Sequence, residues 1–118
     1  MGVHNFKKLQ LWHLAMDIVE DIYSITGEFP KEEIFGLTTQ IRKSAISIPS
    51  NIAEGSGRGT NKQFVQFLNI AQGSAYELET QLYIASGREY FDKNRLEHVV
   101  LKITEVQRMI HGLQRKLI

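Results

Sequence analysis

The sequence predicts an all-α protein, one four-helix-bundle domain over residues 1–118, on three observations. Four stretches carry the three-and-four spacing of apolar residues that marks one face of a helix. Glycines at 27, 57, 59 and 87 divide these stretches into pieces of similar length. No stretch reads as a strand, a linker, a low-complexity tract or a solenoid repeat.

Helix one is expected from about Lys8 to Thr26, with Trp12, Ala15, Val19 and Ile22 on one face and Leu11, Leu14, Ile18 and Ile25 beside it. Two adjacent stripes mean burial over a wide arc. Gly27 is the expected C-cap, with Pro30 shortly after it. Helix two is expected to open at Pro30, where Glu32 and Glu33 complement the positive end of the dipole, and to end in Gly55-Ser56-Gly57-Arg58-Gly59. Its core stripe is Ile41, Ala45, Ile48 and Ile52. Pro49 falls inside this pattern, removing one backbone hydrogen bond at a cost of roughly 3 kcal/mol, so a kink there is expected. A second stripe, Gln40, Ser44, Ser47, Asn51, Glu54 and Arg58, places small polar side chains on another face, where a neighbouring backbone can come close. Their hydroxyls and amides are candidates to satisfy the carbonyl that the proline frees.

Thr60 and Gln63 form a capping box for helix three, whose core steps through Phe64, Leu68, Ala71, Ala75, Leu78, Leu82 and Ala85. Asp92 is a cap for helix four, with the repeat Leu96, Val99, Ile103, Val106, Ile110, Leu113 and Leu117. Sustained seven-residue repeats and short connections predict an up-down-up-down antiparallel bundle packed at about 20°.

Cysteine is absent, which excludes disulfides, thiol catalysis and thiolate metal sites and fits a reducing cytoplasm. The opening MGVHNFKKLQLW has no signal-peptide core, and no segment approaches the roughly 20 apolar residues of a membrane span. A cytoplasmic protein is expected. Met1-Gly2 opens like a myristoylation site, but Phe6 stands where Ser or Thr is needed. The net charge of +1 is unevenly spread, at −2 for residues 1–30, +1 for 31–59, −1 for 60–91 and +3 for 92–118. The basic excess of the last segment can neutralise phosphates, although cations near a helix C-terminus also suit its dipole.

Signatures of catalysis are missing. A di-iron bundle needs Glu-x-x-His on two helices, and none of His4, His13, His98 or His111 has Glu three residues before it. Glu77 and Glu79 are two apart on helix three and cannot act as a pair on one face. No nucleophile elbow or Ser-x-x-Lys pair is present. The run G-S-G-R-G-T at 55–60 lacks the Gly-Lys-Ser/Thr ending of a P-loop and follows a helix, so it reads as loop and cap. Arg42, Asn51 and Glu54 are candidates either for a polar network tying helix two to its neighbour or for a partner interface. Tyr23, Tyr76, Tyr83 and Tyr90 suit core edges or subunit contacts better than base stacking.

FGLTTQIRKSAISIPSNIAEGSGR (Phe35–Arg58), followed by FVQFLNIAQGSAYELETQL (Phe64–Leu82), closely resembles the bacterial four-helix-bundle family named for proteins encoded in 23S rRNA intervening sequences. The resemblance runs from about Phe6 to the C-terminus. A branch of that family serves diversity-generating retroelements as a nucleic-acid-binding partner of a reverse transcriptase. The resemblance implies a homo-oligomer, with a ring of five protomers, and structured RNA or a reverse transcriptase as partner. Ile46, Pro49 and Ala53 form an apolar strip beside the core stripe of helix two, leaving hydrophobic surface for such an assembly.

Together these readings give a non-enzymatic, RNA- or nucleoprotein-associated accessory protein, without cofactor, metal or membrane contact. Its expected nucleic-acid contacts are Arg58, Lys102, Arg108, Arg115 and Lys116. A structural or protein-interaction module without nucleic-acid affinity is the alternative, and an enzyme with an unrecognised carboxylate or metal site is the third reading.

Overall fold

The computed structural model describes residues 4–118; Met1-Gly2, and with it the myristoylation motif, lies outside them. A 3-10 turn at Phe6–Lys8 leads into four helices: α1 (Gln10–Thr26), α2 (Leu37–Ser56), α3 (Asn61–Gly87) and α4 (Lys93–Leu117). Another 3-10 turn, Lys31–Glu33, lies between α1 and α2. No strand occurs among the described residues, and the protein is an all-α four-helix bundle. Backbone neighbours are α1/α2, α2/α3, α3/α4 and α4/α1, which closes a ring of helices 47 Å long and 25 × 20 Å across.

The register of side-chain bonds gives the directions. Ser44 meets Glu77 and Ser47 meets Ser74, so numbers rise along α2 as they fall along α3. Gln72 bonds to the Gln107 carbonyl and Gln114 to Asn69, which makes α3 and α4 antiparallel in the same way. Arg95 reaches Glu28 and Lys102 reaches Asp21, setting α4 against α1.

The seven-residue repeats define the core. All seven expected α3 positions, from Phe64 to Ala85, are buried, as are Ile41, Ala45, Ile48 and Ile52 on α2. On α4, Val99, Ile103, Val106 and Ile110 are buried, while Leu96, Leu113 and Leu117 cover the core from its edges. Of the two α1 stripes the structure turns Leu11, Ala15, Ile18, Ile22 and Ile25 inward, leaving Trp12, Leu14 and Val19 half-buried.

Three local features differ from the sequence reading. Pro30 opens only a 3-10 turn, and α2 begins at Leu37 because that is where a carboxylate caps it: Glu33 Oε1 accepts from the Leu37 N–H at 3.1 Å. This backbone bond and the Tyr90 hydroxyl hold the Glu33 carboxyl below its usual range. Gly36 permits the approach, since a Cβ there would sit 2.8 Å from Glu33 Oε1. Secondly, Gly87 ends α3, but the left-handed residue that follows is Glu89, with φ 62. The Tyr90 N–H then returns to the Ala85 carbonyl at 3.0 Å, closing the turn as a C-terminal glycine motif does. Thirdly, the Asn51 amide does not serve the carbonyl that Pro49 frees. It donates to the Ser47 carbonyl at 2.8 Å and the Ser47 hydroxyl at 2.9 Å, and α2 continues unbroken through the buried Pro49.

Side-chain caps mark the starts of α3 and α4, while α1 starts after Leu9 without one. Thr60 Oγ1 accepts from Gln63 N at 3.1 Å and Asp92 Oδ1 from Arg95 N at 2.8 Å.

Leu78 and Ile103 are fully buried at the middle of their repeats. Truncating either to alanine is expected to cost about 2–5 kcal/mol in chemical denaturation. A glycine pair on α2 and α3 gives a sharper test. A Cβ on Gly55 would lie 2.6 Å from Phe67 Cβ, whereas one on Gly73 meets open space. Gly55→Ala is therefore expected to lower the melting temperature, and Gly73→Ala to raise stability by roughly 0.5–1 kcal/mol; equal effects at the two sites would contradict the α2/α3 packing.

Candidate functional site

The eight expected site residues separate into two groups in space. Arg42, Asn51 and Glu54 serve the bundle itself. Arg42 Nε donates to Thr26 Oγ1 at 2.8 Å, and its guanidinium lies 4.5 Å from the Tyr23 ring centroid, which ties α2 to α1. Asn51 orients the Ser47 hydroxyl, which shares a 2.8 Å hydrogen bond with Ser74 of α3. Glu54 is occupied by Arg58, one turn on, at 2.9 Å.

The five cations are not equivalent. Arg58 combines its bond to Glu54 with a stack over Phe67, 4.7 Å from the centroid, so it closes the α2/α3 turn. Lys102 points across the α1/α4 seam, with Nζ 2.8 Å from Asp21 Oδ2 and both side chains about 30 % exposed or less. Arg108 is far more exposed but bonded to Glu105, whose carboxyl it holds below the usual range. Arg115 and Lys116 form no ion pair among the described residues and stand in the last turn of α4.

Arg108, Arg115 and Lys116 come together with Lys8 on one groove of about 360 Å³, between the start of α1 and the end of α4. Leu9, Leu11, Met109 and Leu113 form its floor, and Gly112 opens onto it. A Cβ on Gly112 would meet nothing within 4 Å. The cations around an apolar floor give the groove the means to hold an anion attached to an apolar body. Lys8 was not among the expected contacts: in sequence it opens helix one, some hundred residues from its neighbours in space. Among the described residues no carboxylate lines the groove.

Two apolar surfaces lie elsewhere. One is a recess of about 330 Å³ between α1 and α2, lined by Phe6, Trp12, Met16, Val19, Ile46 and Pro49 among others. The other is the outer face of α3, where Ile70, Tyr76, Tyr83 and Ile84 are each about half exposed. Tyr83 donates to Glu79 Oε2 at 2.7 Å, and this bond raises its phenol above the ordinary value. Phe35, beside the start of α2, is 97 % exposed. Among the described residues no cluster of three His, Asp or Glu side chains is placed to hold a metal ion, and no helix is long and apolar enough to cross a membrane.

The model of a protein family described as 23S rRNA-intervening sequence protein matches residues 7–112. Among solved structures, a protein of unknown function from the S23 ribosomal protein family of Bacteroides thetaiotaomicron superposes with a TM-score of 0.82. It is 23 % identical, and the match covers 88 % of this chain and 97 % of that one, a likeness of fold. No curated protein matches the chain.

The Lys102–Asp21 pair is expected to stabilise the fold rather than to bind a ligand. A double-mutant cycle of Lys102→Gln and Asp21→Asn, read by urea denaturation, is expected to show a coupling of about 0.5–1 kcal/mol. Strictly additive losses would release Lys102 from this role.

Proposed function

Because the chain belongs to the 23S rRNA-intervening sequence protein family, we propose that it is a non-enzymatic, homo-oligomeric accessory protein of the cytoplasm that associates with structured RNA. The observation that carries this reading is the gathering of Lys8, Arg108, Arg115 and Lys116 on one groove that no carboxylate lines. Phosphate neutralisation needs cations that carboxylates do not oppose, and Lys8, Arg115 and Lys116 form no ion pair among the described residues, while Arg108 is partly offset by Glu105.

Assembly enters through the apolar surfaces. The α1/α2 recess is concave and the outer face of α3 is a ridge, and the two belong to different sides of the ring of helices. Unlike surfaces of this kind suit head-to-tail contact, which closes into a ring when the rotation permits, and a pentamer is the assembly proposed. A ring repeats the basic groove once per protomer, so that a weak site becomes multivalent.

One observation favours the second reading, an interaction module without RNA affinity: Arg58, Lys102 and Arg108 are already bonded to carboxylates of their own chain.

Sedimentation at micromolar concentration is expected to give a stable oligomer. Filter binding to structured RNA at two salt concentrations is expected to show salt-sensitive affinity that Lys8→Gln/Arg115→Gln/Lys116→Gln weakens, with the salt slope reduced by about 2–3 and the oligomer size kept. A monomer without concentration dependence removes the assembly reading, and no RNA affinity at low salt moves the function to the interaction module.

A further inference from the structure

We infer that the α1/α4 groove takes an unpaired nucleotide, its phosphate among the cations and its base on the aliphatic floor, so that the protein selects single-stranded segments of RNA over duplex. The inference rests on the RNA reading above and adds to it the strand state that is recognised.

The shape of the site makes the distinction. Phosphate contact alone needs only an exposed basic surface, which duplex and single strand satisfy alike. Here the cations instead edge a recess whose floor is Leu9, Met109 and Leu113, half-buried, with Leu11 beneath them fully in the core. A volume of about 360 Å³ admits one planar base. In a duplex the flat faces of the bases are stacked on one another, and only backbone, 2′-hydroxyls and groove edges reach a protein surface, so no base face can cover the floor. An unpaired base can leave the strand and lay its flat face on that floor, burying apolar surface of the leucine and methionine side chains.

The charge arrangement fits the same occupant. Lys8 comes from the start of α1, while Arg108 stands on one turn of α4 and Arg115 and Lys116 stand together on the last. Arg115 and Lys116 stand about two turns, roughly 10–12 Å, beyond Arg108, so the donors are spread along α4 as a strand's phosphates are spread along its backbone. Gln10 adds a neutral amide on the groove, suited to a base edge.

Gly112 permits a test that leaves the surface charge untouched. Its missing side chain opens onto the groove, and nothing lies within 4 Å of a Cβ placed there. Gly112→Leu fills the recess with a good helix former and keeps every cation, so the helix is expected to be no less stable.

Binding is measured by fluorescence anisotropy with a short, unstructured, labelled RNA and with the same RNA annealed to its complement. The wild type is expected to bind the single strand about tenfold more tightly, the worth of one buried base. Gly112→Leu is expected to bring single-strand affinity down to that of the duplex, with Gly112→Ala between the two, while circular-dichroism melting stays at or above the wild-type temperature. The Lys8→Gln/Arg115→Gln/Lys116→Gln variant is expected to weaken both forms. Equal wild-type affinity for the two RNAs, or an undiminished single-strand affinity in a folded Gly112→Leu, overturns the groove inference and leaves RNA association standing. Absence of affinity for both RNAs overturns the RNA reading itself.

Discussion

The close approach of α2 to α3 is the constraint on which the rest of the bundle depends. A Cβ on Gly55 would lie 2.6 Å from Phe67 Cβ and 2.9 Å from Phe64 Cδ1, so the two helices can meet at this height only with glycine there. Above it, Ser47 and Ser74 share a 2.8 Å hydrogen bond across the seam, with Ser44 and Glu77 at 3.3 Å one turn further. The serines are short, so they do not hold the helices apart. Polar groups in a seam this tight need partners within it, and that fixes the register more sharply than apolar packing does.

With that seam set, the other elements have little freedom. Pro49 lies inside α2 and buried, so packing offsets the backbone bond that is missing there. At one end of the bundle Phe29 packs on Tyr90 and Phe91, and the Tyr90 hydroxyl donates to Glu33 at 2.8 Å, which joins the α1–α2 connection to the α3–α4 turn. At the other end the His4 ring rests on the Phe64 ring, and the His4 backbone N–H donates to the Ser56 carbonyl at 3.0 Å. The α1/α4 seam there carries no such closure, and it opens into the groove.

The repeats of α3 and α4 were legible because each core residue recurs at a spacing that only one helix face can satisfy, and the outcome at Phe64, Leu78 and Ile103 follows from that alone. Local spacing also revealed the Thr60 and Asp92 caps. The start of α2 was not legible, since Pro30-Lys31-Glu32-Glu33 is as good a first turn as the true one, and the deciding bond from Leu37 to Glu33 depends on how the chain turns after Phe29. The candidate site was half legible. Arg115 and Lys116 follow from charge counting, but Lys8 joins them only because α4 folds back along α1. The same fold pairs Lys102 with Asp21, eighty-one residues away in sequence and beyond any local pattern.

Pairing of this kind also explains how a chain with a net charge of +1 can offer a cationic site at all. Arg95 is shared between Glu28 and Asp92, Lys102 is matched by Asp21, and Arg58 by Glu54. Each pair cancels within a few ångströms and contributes little field beyond its own neighbourhood. What remains at the terminal end is Lys8, Arg115 and Lys116, with Arg108 partly offset by Glu105. The acidic residues that balance the total include Glu32 and Glu89, near the opposite end of a bundle 47 Å long. Screening at physiological salt extends only about 8 Å, so those carboxylates cannot neutralise the groove as an approaching phosphate feels it. Net charge therefore measures solubility here, and the local imbalance measures what the surface can hold.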